Sequence, residues 1–211
     1  MNKKITIIDY GVGNILSIKN AINFFGNEAD VTNDAKKIEK STHLILPGVG
    51  AFSAAMKKLK ENNLIEPIIT AKDNQSYILG ICLGMQLLFT KSEEFNTTNG
   101  LGFIKGNIKK LDKFDSNMNL KLPHIGWTNC DLDSSKIGID IMKNIAPKDK
   151  FYFVHSYALK DYDTNLTVLK SNYKNIKFPA MVKYKNIYGC QFHPEKSRIA
   201  GLTLIKNFSE L

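Results

Sequence analysis

A chain of 211 residues, 43% hydrophobic and 23% charged, is long enough for a sizeable core and ordinary in composition for a globular protein. No apolar run approaches the roughly 20 residues that cross a bilayer as a helix, and the widely spaced Cys82, Cys130 and Cys190, with no CxxC pair, argue against a disulfide framework or a structural zinc site. The net charge of +9 suggests a nucleic-acid partner, but Arg198 is the only arginine and the lysines fall in scattered pairs (Lys3-Lys4, Lys36-Lys37, Lys57-Lys58, Lys109-Lys110), the pattern of a solvated surface.

The start, MNKKITIIDYG, places lysines before apolar residues as a secretory leader does. Its run is short, is broken by Asp9 and lacks a small-residue cleavage site, so it reads as a first strand, ITIIDY (5–10), of a cytoplasmic protein. A GVGN turn leads into a helical pattern carrying Ile15, Ile18, Ile22 and Phe25. EADVT is a second strand, HLILPG (43–48) a third that stops at Pro-Gly, and a helix is expected over 52–62. YILGIC (77–82) is a fourth strand running straight into a helix opening, LGMQLLF. Strands alternating with helices predict an α/β fold with a mostly parallel central sheet flanked by helices. The second half is richer in strand signals: GNIKKL, KLPHIGWTNC, KFYFVHSYAL, NLTVLKSN and IYGCQF, joined by polar turns. Their close spacing predicts additional antiparallel strands in the C-terminal half. The last element, RIAGLTLIKNF, shows a helical face of Ile199, Leu202, Ile205 and Phe208. No linker, repeat or low-complexity tract divides the chain, so one domain over 1–211 is expected.

In an open α/β sheet, functional groups gather beyond the carboxyl ends of the strands. YGVGN, PGVGAF and CLGMQ all fall there. GICLG (80–84) has the form of a nucleophile elbow with cysteine in the serine position. Glycines on either side keep Cβ atoms out of the space where the strand turns into the helix. The thiol would stand at a helix N-terminus, whose positive end favours thiolate, and the Leu83 N–H would face a developing oxyanion. A cysteine nucleophile also needs a base, and the base an orienting acceptor. YGCQFHPEKS (188–197) supplies His193 and, across a rigid proline, Glu195. LPGVGAF (46–52) adds glycines whose backbone N–H groups can rotate toward an oxyanion; the absence of G-K-[ST] after it speaks against a phosphate loop.

PGVGAF, GICLGMQLLF and YGCQFHPEKS together resemble the class I (triad) glutamine amidotransferases. IIDYGVGN, PHIGW (123–127) and YFVHSY (152–157) are similar, within that class, to the glutaminase subunits of imidazole glycerol phosphate synthases. The resemblance runs from about residue 5 to residue 208, with the motifs in order. It implies that Cys82 attacks the side-chain amide of glutamine, that His193 activates water against the resulting thioester, and that Glu195 orients His193. It assigns the oxyanion contacts to Val49, Gly50 and Leu83, and the substrate contacts to Gln86, Glu94, Ser156 and Tyr157. The ammonia would pass to a (β/α)8-barrel cyclase subunit, docked in a heterodimer against Trp127, Tyr152 and Lys196. No cofactor or metal is implied, and no nucleic-acid or membrane partner.

One departure from the family pattern is Thr128, which follows Gly126-Trp127 where the family usually has asparagine. Paralogous glutaminase subunits feed ammonia to synthases that aminate sugars for surface polysaccharide, and that remains an alternative partner. A cysteine hydrolase acting alone would leave Gln86 and the HSY segment without a reason. A catalytically silent scaffold would leave intact Cys82, His193 and Glu195 without one.

Overall fold

The computed structural model describes residues 4–115, 120–131 and 139–211; Lys3 of the first lysine pair lies outside them. Among the described residues no helix is long and apolar enough to cross a membrane. The architecture is built on a seven-stranded sheet. Its parallel part contains β1 (Lys4–Ile8), β2 (Glu28–Thr32), β3 (His43–Leu46) and β4 (Tyr77–Ile81). The C-terminal half adds β11 (Thr167–Tyr173), β12 (Ile176–Tyr184) and β13 (Ile187–Cys190), giving the order β11-β12-β13-β4-β3-β1-β2. β13 lies parallel to β4, while β12 and β11 run antiparallel beyond it.

The central strands are buried on both faces, which is why they read as apolar runs rather than alternating ones. All four residues of HLIL and all four of IYGC are buried. Alternate residues still separate into two cores. Ile5, Ile7, Ile45, Leu79 and Ile81 face one layer, with Ile18 and Ile22 of α1 (Ile15–Asn23) and Ile205 and Phe208 of the C-terminal helix. Ile8, Leu44, Leu46 and Ile78 face the other, with Phe52 and Leu59 of α3 (Phe52–Glu61) and Ile68 of α4 (Ile65–Asp73). A short α2 (Ala35–Glu39) starts where the Asp34 carboxylate accepts from the Lys36 and Lys37 N–H groups.

Two smaller sheets pack against the main one, each in a different core. One has the order β10-β7-β5-β6, made of β5 (Phe89–Ser92), β6 (Thr98–Asn99), β7 (Ile104–Lys110) and β10 (Tyr157–Tyr162). The other is the antiparallel ribbon of β8 (His124–Asn129) and β9 (Lys150–His155). KFYFVHSYAL, which reads as one strand, is therefore two strands in different sheets, broken at Ser156. LGMQLLF is likewise divided: α5 ends at Leu87 and β5 begins at Phe89.

The C-terminal helix α6 (Arg198–Ser209) forms where expected, but its buried face is rotated. Ile199 is 63% exposed, and Ala200, Gly201 and Leu204 are buried with Ile205 and Phe208. The cause is close packing at Gly201, where a Cβ would stand 1.9 Å from the Pro194 carbonyl oxygen. The helix turns its small residues onto the His-Pro-Glu segment and leaves Ile199 outside.

Candidate active site

The elbow forms at the end of β4. Cys82 adopts φ 53 and ψ −109, between the last strand residue and α5 (Leu83–Leu87). An L-residue there costs on the order of 1–3 kcal/mol, and the surroundings hold it. The Cys82 N–H donates to the Cys190 carbonyl on β13 at 2.7 Å. The neighbouring glycines are a steric requirement. A Cβ on Gly84 would meet the Leu46 carbonyl oxygen at 1.9 Å, and one on Gly80 would meet the Gly84 oxygen at 2.7 Å. The helix after the elbow is five residues long, so the dipole expected to favour thiolate is that of little more than one turn.

The second arm comes from β13, the parallel neighbour of β4. His193 follows it, with its N–H donating to the Tyr152 carbonyl at 2.9 Å, and Pro194–Lys196 form a single helical turn. That turn brings the Glu195 carboxylate to 2.8 Å from His193 Nδ1, with the two side chains only 1% and 3% exposed. Ser197 closes the segment by donating to the His193 carbonyl at 2.6 Å while accepting from the Tyr152 N–H at 2.9 Å. Burial lowers the imidazole pKa, but the Cys82 sulfur and the Glu195 carboxylate outweigh it and raise it to about 10. Among the described residues, no group lies within ordinary hydrogen-bond geometry of His193 Nε2. The thiol's long contact, 3.9 Å, is to the Val154 carbonyl. The sulfur raises the imidazole pKa both as a hydrogen-bonding neighbour and through charge, although the contact is looser than an ordinary hydrogen bond.

Val49, Gly50, Cys82, Leu83, Gln86, Glu94, Ser156, Tyr157 and His193 line one cavity of ≈ 460 Å³. Gly50 has φ +91, so the Val49–Gly50 segment sits in backbone territory that only glycine occupies freely. Glu94 is fixed by the Phe52 N–H, which donates to its Oε2 at 2.6 Å. Gln86 is 5% exposed and donates from Nε2 to the Tyr157 carbonyl at 3.0 Å, leaving Oε1 as an acceptor. Glu195 stands behind His193 rather than in the cavity wall.

Trp127, Tyr152 and Lys196 also come together, outside the cavity. The Trp127 and Tyr152 rings are 5.8 Å apart, and Lys196 Nζ lies 5.8 Å above the Tyr152 ring. Arg198 stacks on Trp127 at 4.9 Å. Trp127 is 40% exposed and Ile125, two residues earlier on the same face, 59%. Thr128 points to the opposite face of β8, so the departure from the family pattern does not alter that exposed surface.

Several cavity residues escaped the sequence reading, although most lay inside quoted motifs. His155 of HSY lines the wall, its Nδ1 2.9 Å from the Tyr157 carbonyl and its Nε2 3.1 Å from Nδ1 of His124 in PHIGW. Lys110 adds a cation, paired with Asp112 at 2.7 Å. Gln191, behind the cavity wall rather than in it, is fully buried beside Cys82 on the segment that leads from β13 to His193.

Residues 6–210 match the family model of class-I glutamine amidotransferases, and the chain belongs to that family. It is 42% identical over 207 residues to the imidazole glycerol phosphate synthase subunit HisH of Caldanaerobacter subterraneus subsp. tengcongensis, covering 98% of each chain. It is 44% identical over 206 residues to HisH 2 of Methanococcus maripaludis, covering 97% of this chain and 98% of that one. Among solved structures, one of a glutamine amidotransferase aligns with a TM-score of 0.73 at 15% identity, over 98% of this chain and 100% of that one. PurLQS from Thermotoga maritima aligns with a TM-score of 0.71 at 18% identity, over 99% and 98%. These two share the fold.

Proposed function

We propose that the chain is the glutaminase subunit of imidazole glycerol phosphate synthase, a single domain over 1–211 working in the cytoplasm, with Cys82, His193 and Glu195 as its catalytic triad. The observation that carries the triad is the meeting, at one cavity, of an elbow cysteine with a buried imidazole already paired to a carboxylate at 2.8 Å. The Cys82 sulfur attacks the side-chain carbonyl carbon of glutamine, and the Leu83 N–H with the Val49–Gly50 segment receives the oxyanion. His193 gives its proton to the departing nitrogen, ammonia leaves and a γ-glutamyl thioester remains. His193, now neutral, takes a proton from water as the water attacks the thioester. Collapse releases glutamate and restores the thiolate–imidazolium pair. Glu94 and the free Gln86 Oε1 suit the substrate ammonium, and Ser156 and Tyr157 complete its enclosure.

The partner is a cyclase subunit, read as a (β/α)8-barrel, that consumes the ammonia in histidine biosynthesis. HisH relatives at 42% and 44% identity, named as subunits of the synthase, support this reading. The exposed Trp127–Tyr152–Lys196 group suits the docking face, because the Tyr152 carbonyl also holds the His193 backbone at 2.9 Å. The test is co-purification of the tagged chain from its native source. A barrel cyclase should be recovered, and the complex should hydrolyse glutamine faster when its nucleotide substrate is present. Recovery of a sugar-aminating synthase, or full glutaminase activity from the isolated chain, would contradict the assignment.

A further inference from the structure

The reaction above makes no use of Gln191, whose side chain is completely buried between Cys82 and Gln86. Its orientation follows from its neighbours. The Tyr157 carbonyl can only accept, so Gln86 presents its NH2 group there at 3.0 Å. The second N–H of that group meets Gln191 Oε1, also at 3.0 Å. Gln191 must then turn its own NH2 group toward Cys82 Sγ, which lies 3.8 Å away. The backbone is held as firmly. The Gln191 N–H donates at 2.8 Å to the Ala180 carbonyl, at the point where β12 slips register against β11 and skips Ala180. Such irregularities commonly aim a group at a site.

A buried amide N–H gains little from a neutral thiol, which is a weak acceptor, and considerably more from a thiolate. We infer that Gln191 is a catalytic hydrogen-bond donor to the Cys82 thiolate, and that its other end, held by Gln86, ties the position of the nucleophile to the residue that receives the substrate. The donor acts twice. It favours the thiolate that attacks glutamine, and it stabilises the same sulfur when water expels it from the thioester. This inference rests on Cys82 being the nucleophile.

The test uses the full chain and the pH dependence of iodoacetamide alkylation at Cys82, followed by peptide mass spectrometry because Cys130 and Cys190 are also thiols. Gln191→Met removes the donor at similar length; Gln191→Glu keeps the shape and places a carboxylate beside the sulfur. The alkylation midpoint of Cys82 should move to higher pH in Gln191→Met, and further in Gln191→Glu, where the carboxylate replaces the donor. In the complex kcat should fall in both variants with little change in KM. Folded variants that alkylate Cys82 with the wild-type midpoint would overturn the role of Gln191 while leaving the nucleophile in place. Glutaminase activity surviving in Cys82→Ser would instead remove the reading on which the inference rests.

Discussion

His193 and the His124–His155 pair are buried to similar degrees, 2%, 2% and 6% exposed, yet their titrations are shifted in opposite directions. His124 is pushed down to about 4 by burial alone. His155 is pushed down to about 3 by burial and by repulsion from His124. His193 feels burial too, but is raised to about 10 by Cys82 and Glu195. The difference is the partner. His124 stacks between Phe153 at 5.2 Å and Tyr173 at 4.3 Å, while His193 has the Cys82 sulfur on one side and a carboxylate at 2.8 Å on the other. The first environment makes a structural imidazole whose tautomer is fixed by neighbours: Nδ1–H of His155 donates to the Tyr157 carbonyl, so its Nε2 accepts from His124. The second keeps a proton on the imidazole, as the proposed acid role of His193 requires.

Glu195→Gln should narrow the contrast and carries the largest expected effect on it. Without the carboxylate, His193 keeps only the Cys82 sulfur against burial, and its titration should fall below the wild-type value of about 10. Glutaminase kcat in the complex should drop by about a thousandfold or more, by analogy with loss of the orienting acid in other triads. NMR titration of the His193 ring checks the charge separately from the rate. A ring that still titrates near its wild-type value in this variant would assign the shift to Cys82 instead.

A smaller effect follows from the opposite signs of the shifts. The folded pKa values of His124 and His155 lie below the ordinary 6.5, so their neutral burial supports stability above pH 6.5. That support is lost as pH falls through about 4 and then about 3. The folded pKa of His193 lies above 6.5, so its contribution is complete below pH 6.5 and lost as pH rises through about 10. Urea midpoints measured across pH should therefore decline on both sides. His124→Phe should make the acid limb shallower and leave the alkaline limb, whereas Glu195→Gln should flatten the alkaline limb alone. Equal effects of the two substitutions on both limbs would show that the two regions are not independent.

Much of the parallel half was legible because buried parallel strands are apolar runs followed by glycine turns, and HLIL and YILGI appear as such. The C-terminal half was harder for identifiable reasons. β12 contains Pro179 and a register slip at Ala180, so IKFPAMVKY does not read as a strand of nine residues. The break at Ser156 has no Gly or Pro to announce it; it is imposed by pairing β9 with β8 and β10 with β7. The rotation of α6 depends on contact with Pro194, which periodicity within the helix does not contain. At the site, Cys82, His193 and Glu195 stand out in the sequence because the chemistry proposed for them demands particular residue types at turns. Gln191 does not, because a buried amide gains its meaning only from the groups on either side.

The most direct measurement is rapid acid quench of the complex during glutamine turnover, followed by peptide mass spectrometry. The account predicts a γ-glutamyl thioester on Cys82, absent from Cys130 and Cys190 and absent altogether in Cys82→Ser, which should also lose at least about a thousandfold in glutamine hydrolysis. Steady release of glutamate from a complex whose Cys82 stays unmodified, or from the Cys82→Ser variant, would contradict it.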